Sequence, residues 1–416
     1  MSTSVADRSS PFQRARSATL LLGPAFVAAI AYVDPGNVAS NISAGAQYGY
    51  LLVWVIVMAN VMAGLVQFLS AKTGLVTGRS LPELVREKSG RSTRLAYWAQ
   101  AETVAVATDL AEVVGGAIAL NLLFQLPLLA GGVVTGIVSM GLLLIQDRRG
   151  QQPFERVITG LLGVIAVGFL ASLFISPPSP ADAAAGLVPR FDGAGSVLLA
   201  AAMIGATVMP HVVYLHSGMA RDRHGHPEPG PARARLLRIT RYDVGFAMLL
   251  AGAVNLAMLL MAAHTLRGRD GVDTIEGAHA AVSEVLGPLA GLLLAVGLLA
   301  SGLASTSVGA YAGAMIMQGL LHRHIPLVVR RVITLIPALI VLALGIDPTR
   351  ALIISQVVLS FGIPFALIPL VRFTSNRELM GDNVNRGITT ALAWLVAAVI
   401  TGLNIVLIYL TVTGQG

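Results

Sequence analysis

The chain has no cysteine among its 416 residues, little charge and few aromatic side chains. Without cysteine there is no disulfide, no thiolate metal ligand and no thiol redox chemistry. Charged residues make up only 12% of the sequence, against roughly 25% in an average soluble protein. A soluble chain of this length would need more charge to cover its outer faces. Instead 55% of the residues are hydrophobic, and apolar runs of the length that crosses a bilayer, about 20 residues, recur from end to end. These shortages exclude a soluble globular enzyme and lead to an all-α polytopic membrane protein.

What the chain does have is a regular succession of apolar runs and short polar breaks. Eleven spans are expected, near 19–42, 49–70, 95–122, 127–146, 154–176, 195–219, 241–265, 280–320, 331–346, 349–372 and 387–412. The eighth run is longer than one crossing requires, and its surplus is expected to continue as helix beyond the bilayer or to tilt. Residues 1–18 read as a polar cytoplasmic tail. The apolar stretch after them continues past Asp34 and Pro35 with no small-residue cleavage site, so it reads as a retained span and not a signal peptide.

The 28 Lys and Arg residues sort by loop. With the N-terminus inside, 24 of them lie on the cytoplasmic side, and only Arg190, Arg267, Arg269 and Arg350 lie on the other. This asymmetry satisfies the positive-inside rule. It places the N-terminus in the cytoplasm and the C-terminus outside, in a bacterial inner membrane. The net charge of +7 is thus a topology signal, and no nucleic-acid partner is implied. The loop holding His224 and His226 among prolines and arginines reads as a flexible linker, not a metal-binding tract. No obligate protein partner and no cofactor are evident.

Two spans are interrupted by helix-breaking residues: Asp34-Pro35-Gly36-Asn37 in the first and Met209-Pro210-His211 in the sixth. Proline lacks an N–H and clashes with the preceding turn, while glycine adds backbone freedom. Carbonyls freed there cannot face lipid. A lone proline would be an ordinary kink, but the first and sixth spans hold equivalent places in a five-plus-five repeat with one helix left over. Paired interruptions of this kind point to an inverted-repeat transporter with a midplane site. The expected units are 19–176, 195–372 and a final helix at 387–412.

Asp34 is an ionisable carboxylate deep in a span, where charge costs at least ~2.5–3.5 kcal/mol. It therefore needs a proton, a cation or a basic partner. The Asn37 amide oxygen, the Met209 thioether and the carbonyls of Ala31 and Ala206 would complete a ring of donors around a cation. A thioether favours softer first-row transition ions over magnesium or calcium, although methionine also serves as a core filler. In the third span Glu102, Asp109 and Glu112, spaced by seven and three, share one helical face. Acids on such a face inside a membrane mark ion or proton paths. Arg330 and Arg331 are available counter-charges. Arg330 reads as an interface anchor. His211 is either a proton relay or a structural histidine, and His216 reads as structural.

The two motifs, with the eleven spans and the cytoplasmic N-terminus, resemble the Nramp family of proton-coupled divalent metal transporters over essentially the whole chain. The resemblance implies a LeuT-like fold with helices 1 and 6 unwound at the midplane. It implies import of manganese and ferrous iron as substrates, with cadmium, cobalt or zinc also accepted. It makes Asp34, Asn37 and Met209 metal ligands, with the carbonyls of Ala31 and Ala206 joining in particular states. It adds Gln356 as a residue that approaches the metal. It also implies a proton route from Asp34 through Asp109 and Glu112 towards Arg331, with Glu102 lower down. Two other classes compete: a cation-coupled organic-solute transporter of the same architecture, which Asp34 disfavours for anionic substrates, and an intramembrane metalloenzyme, for which no nucleophile motif appears.

Overall fold

The protein is described by a computed structural model covering residues 23–272, 274–323 and 325–413. The expected tail at 1–18 and the first residues of the first span lie outside the described residues. Among those described, every regular element is helical.

The first expected span is two helices, α1 (Pro24–Ala31) and α2 (Pro35–Tyr48), and a 3-10 turn at Gly49–Leu52 leads into α3 (Val53–Thr77). A short α4 (Leu81–Lys88) precedes α5 (Arg91–Phe124), α6 (Leu128–Arg149) and α7 (Gln151–Ile175). After the small α8 (Pro180–Ala185), the sixth span is again two helices, α9 (Gly193–Thr207) and α10 (Pro210–His224). The rest are α11 (Pro231–Thr265), α12 (Ile275–Leu286), α13 (Pro288–Leu321), α14 (Leu327–Ala343), α15 (Pro348–Thr374), α16 (Arg377–Met380) and α17 (Gly387–Val412). Proline opens many of these helices because the first-turn N–H it lacks has no intrahelical acceptor anyway.

Nine helical stretches among the described residues are long and apolar enough to cross a membrane. The first expected span begins outside the described residues, and the ninth corresponds to the 17-residue α14. Three expectations need correction. The eighth run is not one extended or tilted helix: Gly287, at φ 94°, ends α12 and Pro288 starts α13. That φ suits glycine, and proline cannot continue a preceding helix. The ninth helix starts at Leu327 rather than near 331, which takes Arg330 and Arg331 into its first turn. The loop after His224 is held by contacts: the His226 Nδ1 lies 3.1 Å from the Leu75 carbonyl, and Arg233 Nε donates to the Pro227 carbonyl at 2.7 Å.

The centre of the bundle is built by α5 and α7 against α13, by α2 and α3 against α11, and by α9 and α10 against α15 and α3. The interrupted helices are therefore enclosed on all sides. Outside them, the exposed faces are apolar on α6, α7, α14 and α17, as in Ile137, Val167, Ile336 and Leu395. This is the pattern of an integral membrane protein, whose lipid-facing side chains are as apolar as its core.

Candidate functional site

The first break spans Tyr32 to Asp34. Asp34 caps α2, accepting from the Asn37 backbone N–H at 2.8 Å, with Pro35 in the first helical position. The carbonyls freed by the break are taken by side chains. That of Tyr32 accepts from Asn37 Nδ2 at 2.9 Å and from Asn255 Nδ2 at 2.7 Å, and that of Val33 accepts from Ser301 Oγ at 2.5 Å. The second break spans Val208 and Met209, with Met209 at the cap position of α10 and Pro210 in its first turn.

One side chain joins the two breaks. Asn37 Nδ2 donates its second hydrogen to the Ala206 carbonyl at 2.9 Å, so both its amide hydrogens are engaged. Gln356, from α15, donates Nε2 to Asp34 Oδ2 at 3.1 Å and lies 3.3 Å from Ser355 Oγ. Its approach depends on Gly36: a Cβ there would run into the Gln356 side-chain amide. Asp34, Asn37, Ala31, Ala206, Met209 and Gln356 are all 0% exposed. The amide oxygens of Asn37 and Gln356 have no hydrogen-bond partner among the described residues. Buried acceptors are nearly always paired, so two orphaned oxygens beside one carboxylate are chemically suited to a cation. The Ala206 carbonyl, expected to face a metal, is occupied here by Asn37; Ala31 is the buried last residue of α1.

The acidic face of α5 lies beside this centre. Asp109 Oδ1 pairs with Arg331 NH1 at 2.8 Å, and Arg331 Nε donates to Ser139 Oγ at 3.2 Å. Arg331 and Asp109 are both buried. Glu112 is buried, and neither of its carboxylate oxygens has a hydrogen-bond partner among the described residues. Arg330, read from sequence as an interface anchor, is instead only 4% exposed and pairs with Glu102 at 2.9 Å. The early start of α14 explains both contacts, since two arginines in its first turn face α5 and not the headgroup region. His211 Nδ1 lies 3.4 Å from Thr108 Oγ1, next to Asp109, and its Nε2 has no partner among the described residues.

Several site residues escaped the sequence reading. Gln67 links the Tyr32 hydroxyl to His216, whose Nδ1 lies 2.7 Å from Gln67 Oε1. Asn255, Ser301 and Ser139 complete the set. The run Ser301, Ser305, Thr306 and Ser307 within an apolar 34-residue helix was the available signal. No group of three or more His, Cys, Asp or Glu able to hold a metal occurs among the described residues. A cation here would be met by amide oxygen and carboxylate.

The family profile described as Natural resistance-associated macrophage protein-like matches residues 25–410. The chain is 68% identical over 394 residues to the divalent metal cation transporter MntH of Mycobacterium tuberculosis, covering 95% of this chain and 92% of that protein. Its structure is similar to the crystal structure of the Eremococcus coleocola manganese transporter in complex with an aromatic bis-isothiourea substituted compound. That match has a TM-score of 0.85 and 31% identity, and covers 96% of this chain and 88% of the other. MhsT in complex with L-phenylalanine is similar at a TM-score of 0.60 and 12% identity over 92% of this chain and 98% of the other, a likeness of fold alone.

Proposed function

The chain belongs to the Nramp family, and from that premise we propose that it imports divalent transition-metal ions, manganese and ferrous iron foremost, together with protons. The reading makes it a transporter of the bacterial inner membrane, not an enzyme, with the metal as substrate. The observation that carries it is the Asn37 clasp. One amide ties the Tyr32 carbonyl of the first break to the Ala206 carbonyl of the second, beside Asp34 and two unpaired amide oxygens. A carboxylate, two amide oxygens and a thioether at Met209 suit a first-row transition ion better than a hard one.

Alternating access then follows from the architecture. Rocking of the helices that contain the breaks would expose the cation to one side and then the other, in the LeuT-like arrangement of two inverted five-helix repeats, 19–176 and 195–372, plus a final helix at 387–412. At the arginine-rich end, assigned to the cytoplasm, contacts bridge α10 to α4 and α7. Leu81 N donates to Ser217 Oγ at 2.8 Å, Arg221 pairs with Glu83 at 2.5 Å, and Gln151 Nε2 donates to the Met219 carbonyl at 3.2 Å. Release inward requires these contacts to part. An inside-negative potential favours entry by ~2.3 kcal/mol per charge per 100 mV. For protons, the buried Glu112 and the Asp109–Arg331 pair support a route leading away from Asp34 along α5.

Manganese uptake into proteoliposomes with simultaneous recording of internal pH tests the proposal. Asp34→Ala is expected to reduce uptake to background, and Met209→Ala to retain manganese uptake while losing discrimination against calcium. Undiminished uptake in Asp34→Ala would overturn the site, and undiminished discrimination in Met209→Ala would remove sulfur as the selecting atom.

A further inference from the structure

A second polar cavity, remote from the breaks, opens between α3, α11 and the turn ahead of α17, with a volume of about 640 Å³. Its polar lining is cationic: Lys72 from α3, Arg238 and Arg241 from α11, and Arg386 just before α17, with no Asp or Glu among the lining residues. None of these four forms an ion pair among the described residues. Four neighbouring positive charges without a counter-ion repel one another and attract an anion.

The cluster is built, not incidental. Lys72 is only 8% exposed, and its Nζ donates to Asn385 Oδ1 at 2.8 Å. Asn385 is itself held by α15, donating Nδ2 to Thr374 Oγ1 at 2.9 Å and its backbone N–H to the Thr374 carbonyl at 3.0 Å. The ammonium has three donors, so two remain for a ligand. Arg241 is placed over the Phe68 ring at 4.9 Å. That contact fixes a guanidinium while leaving its edge free to meet an oxyanion.

The apolar surroundings identify the kind of anion. Val61 lies eleven residues before Lys72 on α3, and Leu249 eleven residues after Arg238 on α11. In each helix that interval returns to nearly the same face, roughly 16 Å along the axis. The two helices run in opposite directions past the cavity, so both intervals lead away from the arginine-rich end and into the apolar belt. Val61, Leu249 and Ile388, which follows Arg386, are each more than half exposed. A cationic pocket thus sits at the head of an exposed apolar track, which matches the two parts of a lipid. A free phosphate would use only the first.

We infer that the cavity lined by Lys72, Arg238, Arg241 and Arg386 binds the phosphate headgroup of an anionic glycerophospholipid, with its acyl chains lying along the Val61 and Leu249 faces. Basic pockets between membrane helices at the cytoplasmic surface recognise such headgroups by charge. The bound lipid would connect α3 and α11 to the start of α17.

Native mass spectrometry of the full chain with phosphatidylglycerol or phosphatidylcholine of equal chain length tests this. Wild type is expected to retain phosphatidylglycerol preferentially. The triple variant Arg238→Gln, Arg241→Gln, Arg386→Gln should bind it about a hundredfold more weakly, the corresponding Lys triple should retain it, and Arg386→Gln alone should lose part of the affinity. A charge-matched control, Arg148→Gln, Arg149→Gln, Arg156→Gln, exposed and away from the cavity, should leave retention unchanged. Equal loss in the control would reduce the effect to general surface charge. Equal retention of phosphatidylcholine, retention unaffected in the Gln triple, or displacement by millimolar inorganic phosphate would each overturn the assignment.

Discussion

Two carboxamides, Asn37 and Gln356, are held by their nitrogens and leave their oxygens without a partner among the described residues. An amide held this way is oriented in advance, so a cation meets oxygens that need little rearrangement. Gln356 also steadies the Asp34 carboxylate, and if Asp34 holds the metal, as proposed, a hydrogen bond of this kind tunes affinity. Gln356→Leu is therefore expected to weaken manganese binding by about 10- to 100-fold, measured by isothermal titration calorimetry on the purified protein. Unchanged affinity would show that the contact plays no part in holding metal. At this scale the sequence was legible where helix breakers announced an interruption, as at Pro35 and Pro210. It was silent at Asn255 and Ser139, because one small polar residue in an apolar run looks the same whether it faces a centre or bonds its own helix.

On α5 the decisive feature is the pair Asp109–Arg331, enclosed on both sides. A buried ion pair adds little net stability, but removing one member leaves an uncompensated charge at a cost of about 3–5 kcal/mol. Arg331→Met should lower the thermal unfolding midpoint in detergent, and adding Asp109→Leu to it should restore most of the loss. If the pair also carries protons, the double variant should still move manganese while internal acidification falls. Restored stability with unaltered acidification would reduce the pair to a structural role. The acidic face of α5 was readable from its seven-and-three spacing. The partner of Glu102 was not, because hydropathy put the start of α14 too late and left Arg330 at the membrane surface. The break at Gly287 and Pro288 was hidden in the same way, since apolar residues continue through it on both sides.

For the whole molecule, the helical bundle and its membrane class were legible from composition, and the likeness to a manganese transporter of known structure agrees with that reading. The packing order of helices was not legible, since apolar runs carry no label for their neighbours. Sidedness rests on the distribution of Lys and Arg and can be measured directly, because the chain has no cysteine of its own. Val188→Cys, in the exposed loop before α9, is expected to react with an impermeant maleimide in intact cells. Arg235→Cys, exposed at the start of α11, should react only after lysis. The reverse pattern would invert the orientation.

The Asn37 amide adds a consequence for the cycle as a whole. Its hydrogens bridge carbonyls from the two halves of the chain, so its oxygen is aimed only while those halves are in register. Linkage is reciprocal: an ion that draws on this oxygen strengthens the register as much as the register strengthens the ion. On the proposed function, recognition of cargo and commitment to movement would meet in one functional group, a coincidence detector.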